Sequence, residues 1–95
     1  MYLLNFEKSV KKDFKNIDIK DTKFIKESLY AFVESFSHKL EQDFLTNGKI
    51  KKLKGFDEEL YRLKLRTYRV IYKKEDEKLI ILVVSVKSRE GSYKK

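Results

Sequence analysis

The sequence contains no cysteine, no proline and no tryptophan, and only one histidine and three glycines occur among its 95 residues. Because cysteine is absent, neither a disulfide framework nor a thiolate zinc site is possible, which suits a reducing cytoplasm. No apolar run approaches the roughly 18 residues of a membrane-spanning helix, and residues 1–9 lack the basic start and long apolar core of a signal peptide. We therefore expect a cytoplasmic chain with no membrane partner.

The residue clusters that hold metals are also missing from the sequence. His38 is the one histidine and lies off the apolar stripe of its predicted helix, which favours a surface position. The acidic triplets at 57–59 and 75–77 are consecutive residues, and we interpret them as turns whose carboxylates point apart. We expect neither a metal ion nor a cofactor.

Length and composition indicate one domain covering residues 1–95. A chain of this size buries roughly 60 to 70% of its unfolded surface around a single core. Hydrophobic residues make up 41% of the sequence, which is enough for such a core, while 40% charged residues predict a strongly ionic surface.

The net charge of +8 comes from one half of the chain. Residues 1–48 contain eight Lys or Arg against eight Asp or Glu, whereas residues 49–95 contain fifteen against seven. An excess confined to one region favours a surface that binds a polyanion. A membrane surface is the weaker alternative, because these cations fall on predicted strands and not on one amphipathic helix.

Hydrophobic periodicity predicts one strand and two helices in the first half. Residues 2–6 are apolar and aromatic, as in a short strand, and residues 7–17 follow with the spacing of an amphipathic helix whose lysines face solvent. A second helix is expected to begin at an N-cap at Asp21 or Thr22 and to continue for about six turns. Gly48 is placed where a left-handed C-cap would end it.

The second half predicts strands. A short strand is expected in KIKKLK at 49–54, a hairpin in YRLKLRTYRVIYKK at 61–74, and a strand buried on both faces in LIILVVSV at 79–86. The predicted fold class is therefore α+β, with an N-terminal strand and two helices packed on one face of a mainly antiparallel four-stranded sheet.

The hairpin alternates apolar and basic residues with the period of two that a half-buried strand requires. Its cations Arg62, Lys64 and Arg69 would then share the open face of the sheet and need an anionic partner. Other interpretations remain open from the residues alone. The cations can be a solvated face that discourages aggregation, and Arg69 can pair with Asp57 or Glu75.

The run KLKGFDEELYRLKLRTYRVIYKKEDEKLIILVVSVKSREGSY resembles the C-terminal half of the RelE/ParE superfamily of toxins from bacterial toxin-antitoxin pairs. The shared features are a Leu-Lys-Gly turn, a Tyr-Arg-Leu strand, a Tyr-Arg-Val-Ile-Tyr strand, an apolar strand and an Arg-to-Tyr tail, in that order. The resemblance implies a cognate antitoxin partner. RelE-like members cut mRNA on the ribosome, whereas ParE-like members inhibit DNA gyrase on the same fold, so that the fold alone does not choose the target.

The resemblance also implies a catalytic set, namely Lys64, Arg69, Arg89 and Tyr93. Two positions depart from the RelE pattern. Arg62 replaces the first lysine of the Tyr-Lys-Ile-Lys-Leu strand, and Ser88 stands where relatives often have histidine. The second departure disfavours any mechanism that needs an imidazole.

Metal-independent RNA cleavage requires a base for the ribose 2′-hydroxyl, positive charge at the phosphorane and a donor for the leaving 5′-oxygen. We expect Arg69 to stabilise the transition state, Lys64 to act as the base, and Arg89 to serve the leaving group as the resemblance implies. The resemblance also implies that Tyr93 stacks on a nucleobase, or orients or activates the 2′-hydroxyl. Substrate phosphates are expected to contact Arg62, Arg66, Lys49, Lys51, Lys52 and Lys54.

The sequence therefore favours a ribosome-dependent mRNA endoribonuclease, or mRNA interferase, that an antitoxin keeps inactive. A ParE-like gyrase inhibitor without nuclease chemistry is the first alternative. A non-catalytic basic nucleic-acid-binding domain is the second.

Overall fold

A five-stranded sheet with helices on one face forms the domain, in a computed structural model that describes residues 2–55 and 57–88. The described elements in chain order are β1 (Leu3–Phe6), α1 (Lys8–Lys15), α2 (Ile19–Glu34), α3 (His38–Asn47), β2 (Ile50–Leu53), β3 (Leu60–Leu65), β4 (Tyr68–Glu75) and β5 (Ile80–Ser88).

The strand order is β1-β5-β4-β3-β2, and all neighbours are antiparallel except β1, which is parallel to β5. One face of the sheet packs against all three helices in a single core that includes Val10 of α1, Leu29 of α2 and Val70 of β4. The predicted α+β class with a mainly antiparallel sheet is confirmed, although the sheet has five strands and not four. No described helix is long and apolar enough to cross a membrane.

The predicted six-turn helix is wrong, because two helices occupy its place. α2 ends at Glu34, and Ser37 then takes an extended conformation and accepts a hydrogen bond from the Leu40 backbone N–H at 3.1 Å, which caps α3. The apolar spacing continues across the break since both helices pack on the same core. The start was also misplaced, because the N-cap of α2 is Asp18. The predicted C-cap is confirmed, with Gly48 at a φ of 86°.

The predicted hairpin is present as β3 and β4, joined by Arg66 and Thr67. Its apolar residues face the core, so that Tyr61, Tyr68 and Tyr72 are all buried. Arg66 has a φ of 55°, a left-handed conformation that is unusual for a residue with a side chain. The prediction that β5 is buried on both faces is wrong in part, because alternate residues along it are only half-buried.

A buried ionic cluster fixes α3 on the sheet. The Glu41 carboxylate on α3 is 3% exposed and lies 2.7 Å from the Lys74 ammonium on β4, while the Tyr72 hydroxyl donates to its other oxygen at 2.8 Å. Lys74 also lies 4.9 Å from the centre of the Tyr61 ring. Both carboxylate oxygens therefore have partners, as a buried charge requires.

This cluster predicts that stability falls at alkaline pH. Burial alone would lower the pKa of Lys74, but the hydrogen bond and charge of Glu41 outweigh burial and raise the pKa above 10.5. Burial, then the charge and hydrogen bond of Glu41, raise the pKa of Tyr72 well above 10.0. Because both groups keep their protons to higher pH in the folded state, their contribution to stability is complete below about pH 10 and is lost as the pH rises further.

Urea unfolding between pH 8 and 11 should show this decline in stability. Tyr72→Phe should flatten it, whereas the exposed Tyr30→Phe should not, and equal slopes in all three proteins would contradict the assignment.

Candidate nucleic-acid interface

The strand register brings three cations from three strands into one row. Lys64 of β3 lies opposite Arg69 of β4, and Arg69 lies opposite Lys87 of β5. Directly opposed residues of antiparallel strands have Cβ atoms about 4.5 to 5.5 Å apart, so that the three side chains are neighbours on the face that no described helix covers. We call Lys64, Arg69 and Lys87 the cation row and this side of the sheet the open face.

Arg62 and Lys51, on the neighbouring strands β3 and β2, extend the basic surface toward the sheet edge. Arg62 of β3 lies opposite Lys51 of β2 on one side and Ile71 of β4 on the other. Beside these residues, a small cleft of about 130 Å³ is lined by Arg62, Lys64, Arg66, Thr67, Tyr68 and Arg69. The structure therefore brings four of the ten predicted site residues to one cleft.

The cations at this cleft make no ion pair with any residue that the structure describes. The carboxylates near them have other partners, since Glu58 pairs with Lys73 at 2.7 Å and Glu59 pairs with Lys52 at 3.2 Å. The alternative pairing of Arg69 with Asp57 or Glu75 is thus not formed. Adjacent like charges without counter-ions, such as Lys64 and Arg69, are unfavourable in themselves, and an anionic ligand would relieve the repulsion.

Arg66 has a separate arrangement. Its guanidinium carbon lies 3.7 Å from the centre of the Phe24 ring of α2, within the range of a cation–π contact. The stacked guanidinium lines both the cleft and a neighbouring groove, and it is exposed. A planar, exposed cation fixed on an aromatic ring can contact phosphate and a nucleobase face.

The four lysines of residues 49–54 do not form one surface. Lys51 continues the open face, but Lys52 pairs with Glu59, and the Lys49 ammonium lies 5.1 Å from the centre of the Phe44 ring on the helical side. Lys54 follows the end of β2 and is exposed. The prediction that all four contact the same substrate therefore keeps its geometric support only at Lys51.

Lys87 is not among the site residues that the sequence predicts. Simple alternation from the buried Val83 would place residues 85 and 87 in the core, but a β-bulge opposite Ile71 and Tyr72 shifts the register, so that Val86 is buried and Lys87 is exposed. The only signal in the sequence is the polar residue itself at the end of an apolar strand. Arg89 and Tyr93, two of the predicted catalytic residues, lie outside the described residues.

An apolar groove of about 470 Å³ borders the cation row on the helical side. Side chains from α2, α3 and β3 line it, and cations at its margin include Lys49, Lys64 and Arg66. An amphipathic segment with apolar and acidic faces matches such a surface. The groove shares Lys64 and Arg66 with the cleft, so that an occupant of the groove would compete with a ligand in the cleft.

The described residues contain no cluster of His, Cys, Asp or Glu suited to a metal ion. The cleft itself presents arginine, lysine and tyrosine side chains. Arginine stays charged and presents a planar set of donors to phosphate oxygens, and lysine offers three donors on a single nitrogen. Such a set suits binding and charge stabilisation of a phosphodiester.

Comparisons with known proteins find a matching family and matching solved structures. The family described as "ParE toxin of type II toxin-antitoxin system, parDE" matches residues 4–93. No curated protein matches the sequence. Among solved structures, the isolated E. coli RelE toxin is 27% identical with a TM-score of 0.65, and the alignment covers 93% of this chain and 84% of that one.

Two toxin-antitoxin complexes show the same fold. The E. coli RelBE complex matches at 27% identity and a TM-score of 0.65, covering 93% of this chain and 96% of that chain. The RelE-RelB complex of the archaeon Pyrococcus horikoshii matches at 24% identity and a TM-score of 0.64, with 93% and 94% covered. The second likeness supports the fold alone.

Proposed function

We propose, from the premise that this chain belongs to the RelE/ParE superfamily of type II toxin-antitoxin toxins, that it cleaves messenger RNA on the ribosome without a metal ion. The observation that supports this most is the strand register, which aligns Lys64 with Arg69 and adds Lys87 to the same row. The cleft beside the row is lined by cations and is free of carboxylates among the described residues.

Each cation has a task in this proposal. Arg69 stabilises the negative charge that grows on the phosphorane, because its donors can contact two phosphate oxygens at once. Lys64 takes the proton of the ribose 2′-hydroxyl, since it lies opposite Arg69 and lines the same cleft. Arg62 and Arg66 hold the flanking phosphates. Arg89 would serve the leaving 5′-oxygen, and Tyr93 would stack on a nucleobase or orient or activate the 2′-hydroxyl. The product would carry a 2′,3′-cyclic phosphate.

A gyrase inhibitor is the second candidate, because the matching family is described as ParE. In that case the basic face would bind a protein or DNA and the cations would have no reacting group to stabilise. A non-catalytic RNA-binding domain would need the same charge but no particular register. Lys64 and Arg69 are adjacent and have no ion-pair partner among the described residues, and this favours the nuclease over both alternatives.

The test uses purified protein and ribosomes stalled on a defined message. We expect cuts inside the ribosome-bound codon region, and we expect the upstream fragments to end in a cyclic phosphate. The same message without ribosomes should be cut far more slowly, and a single 2′-deoxy nucleotide at the cut position should abolish cleavage there. An intact message after incubation with ribosomes would reject the nuclease.

We further propose that the partner is an antitoxin with an acidic amphipathic segment that occupies the groove between the helices and β3. The two E. coli and P. horikoshii complexes show that toxins of this fold assemble with antitoxins. The groove combines apolar residues with the cations Lys49, Lys64 and Arg66, which fits such a segment in both polarity and charge. Occupation would cover Lys64 and Arg66 and so block the cleft.

Ala31→Trp tests this partner site. Ala31 is exposed on α2 and lines the groove, so that the indole should fill the groove without disturbing the core. Because Ala31 does not line the cleft, we expect the variant to cut message normally. It should bind an acidic amphipathic antitoxin peptide at least tenfold more weakly, as for a disrupted interface centre. Glu34→Trp, also exposed on α2 but outside the groove, is the matched control. Equal peptide affinity for both variants would place the partner elsewhere.

A further inference from the structure

A buried carboxylate on α1 connects that helix to the cation row. Asp13 is 9% exposed, and its two oxygens have different partners. The Val86 backbone N–H donates to one oxygen at 2.9 Å, and the Lys87 ammonium lies 2.7 Å from the other. One side chain therefore holds both the backbone and the cation at the end of β5.

The backbone contact has a clear structural purpose. β1 pairs with β5 only as far as Phe6 opposite Val83, so that the N–H groups further along this side of β5 lose their strand partner. Asp13 accepts from one group beyond this point, the N–H of Val86. A neutral acceptor such as asparagine would satisfy this N–H equally well.

The negative charge of Asp13 needs a second explanation. Asp13 lies in the last turn of α1, where the helix dipole disfavours an anion, and burial adds a desolvation cost. The contact that uses the charge is the one to Lys87, whose side chain remains 63% exposed. An ammonium has three donors, so that Lys87 can bind Asp13 with one of them and still present the others to solvent.

We propose that Asp13 is a positioning residue that orients the Lys87 ammonium in line with Arg69 for one phosphate of the bound RNA. The bulge in β5 brings Lys87 to the open face, and the Asp13 carboxylate restricts where the flexible lysine chain ends. It also offsets part of the repulsion among Lys64, Arg69 and Lys87 while no RNA is bound. This role deepens the proposed nuclease function and rests on it.

The test is a double-mutant cycle of Asp13→Asn and Lys87→Met in the full chain. The amide of Asp13→Asn can still accept from the Val86 N–H, so that the melting temperature should stay close to that of the wild type. We expect message cutting to fall about tenfold or more, because a misplaced group loses much of its effect on the transition state. Binding of a 2′-O-methyl oligonucleotide, which cannot be cut, should be no weaker, since the variant has one negative charge fewer.

The combined variant decides between positioning and general stability. If Asp13 acts through Lys87, then Asp13→Asn should add nothing to the loss caused by Lys87→Met. An undiminished effect in the Lys87→Met background, or wild-type cutting by Asp13→Asn, overturns the proposal. A parallel loss of cutting, binding and melting temperature also overturns it, since that pattern marks a folding defect.

If the wild type does not cut message at all, the proposed nuclease function fails. The positioning role of Asp13 can then still be tested by a measurement that needs no activity. NMR relaxation of the lysine side-chain nitrogens reports whether Lys87 is ordered. We expect Lys87 to be ordered in the wild type and mobile in Asp13→Asn, while the Val86 amide keeps its protection from exchange. Equal order of Lys87 in both proteins would reject the positioning role independently of any activity.

Discussion

Glu41→Ala should lower the free energy of unfolding by about 3 to 5 kcal/mol, which is the range for removing one partner of a buried ion pair. The Lys74 side chain is 11% exposed, and its ammonium would be left without the carboxylate that lies 2.7 Å away. The Tyr72 hydroxyl would lose its acceptor as well. Domains of this size are stable by only about 5 to 15 kcal/mol, so that this loss would bring the variant close to unfolding at room temperature.

Urea denaturation measures this effect, and the chain offers two comparisons. Glu34→Ala, at an exposed position on α2, should change stability by less than about 0.5 kcal/mol. The pair Glu41→Leu with Lys74→Met removes both charges and should recover much of the loss, since an apolar pair can replace a buried ion pair. A change below about 1 kcal/mol in Glu41→Ala would show that the cluster does not fix α3 on the sheet.

Arg69→Ala should reduce cutting of ribosome-bound message by about 100- to 1,000-fold, the usual result of removing a donor that stabilises transition-state charge. Arg69 lies opposite Lys64 in the register and lines the cleft, which places it in the middle of the cation row. Its side chain is only half-buried and forms no ion pair with the described residues, so that folding should be unaffected.

Two variants make the result specific. Arg69→Lys keeps the charge but loses the planar pair of donors, and we expect an intermediate rate. Lys78→Ala removes an exposed cation in the turn between β4 and β5, at the opposite end of their pairing from Arg69 and Lys87, and should cut within about twofold of the wild type. If Arg69→Ala melts like the wild type and still cuts within threefold of the wild-type rate, Arg69 does not take part in the mechanism.

The hairpin could be predicted from the sequence because its signal is local. Alternation with a period of two fixes which residues of β3 and β4 share a face, and the two-residue connection fixes their register. For this reason Arg62, Lys64 and Arg69 were correctly assigned to the open face. The same alternation directs the tyrosines of both strands to the core, where they are found.

The break between α2 and α3 could not be predicted from hydrophobic spacing. Spacing reports only which side of a helix is apolar, and Phe32, Phe36, Leu40 and Phe44 all contact the same core. The signal for the break is Ser37, whose hydroxyl caps α3, but an isolated serine also occurs within helices. Packing of the helices on the sheet decides whether the chain breaks at Ser37 or continues as one helix.

Lys87 and Asp13 depend on contacts between residues that are distant in sequence. The β-bulge that turns Lys87 outward is a property of the β4–β5 pairing, and no periodicity in β5 alone reveals it. Asp13 is one acid among the lysines of α1, and only the packing of α1 against β5 gives it partners. The part of the site built within one hairpin was therefore predictable, whereas its support from α1 and β5 was not.

A comparison of RNA and DNA from the same arrested cells tests whether the cation row cleaves RNA. After induction of the wild type, transcript 5′ ends should accumulate within translated regions while chromosomal DNA stays intact, and Arg69→Ala should produce neither arrest nor new ends. Growth arrest with intact messages and accumulating gyrase-linked DNA breaks would contradict the nuclease and support the gyrase inhibitor.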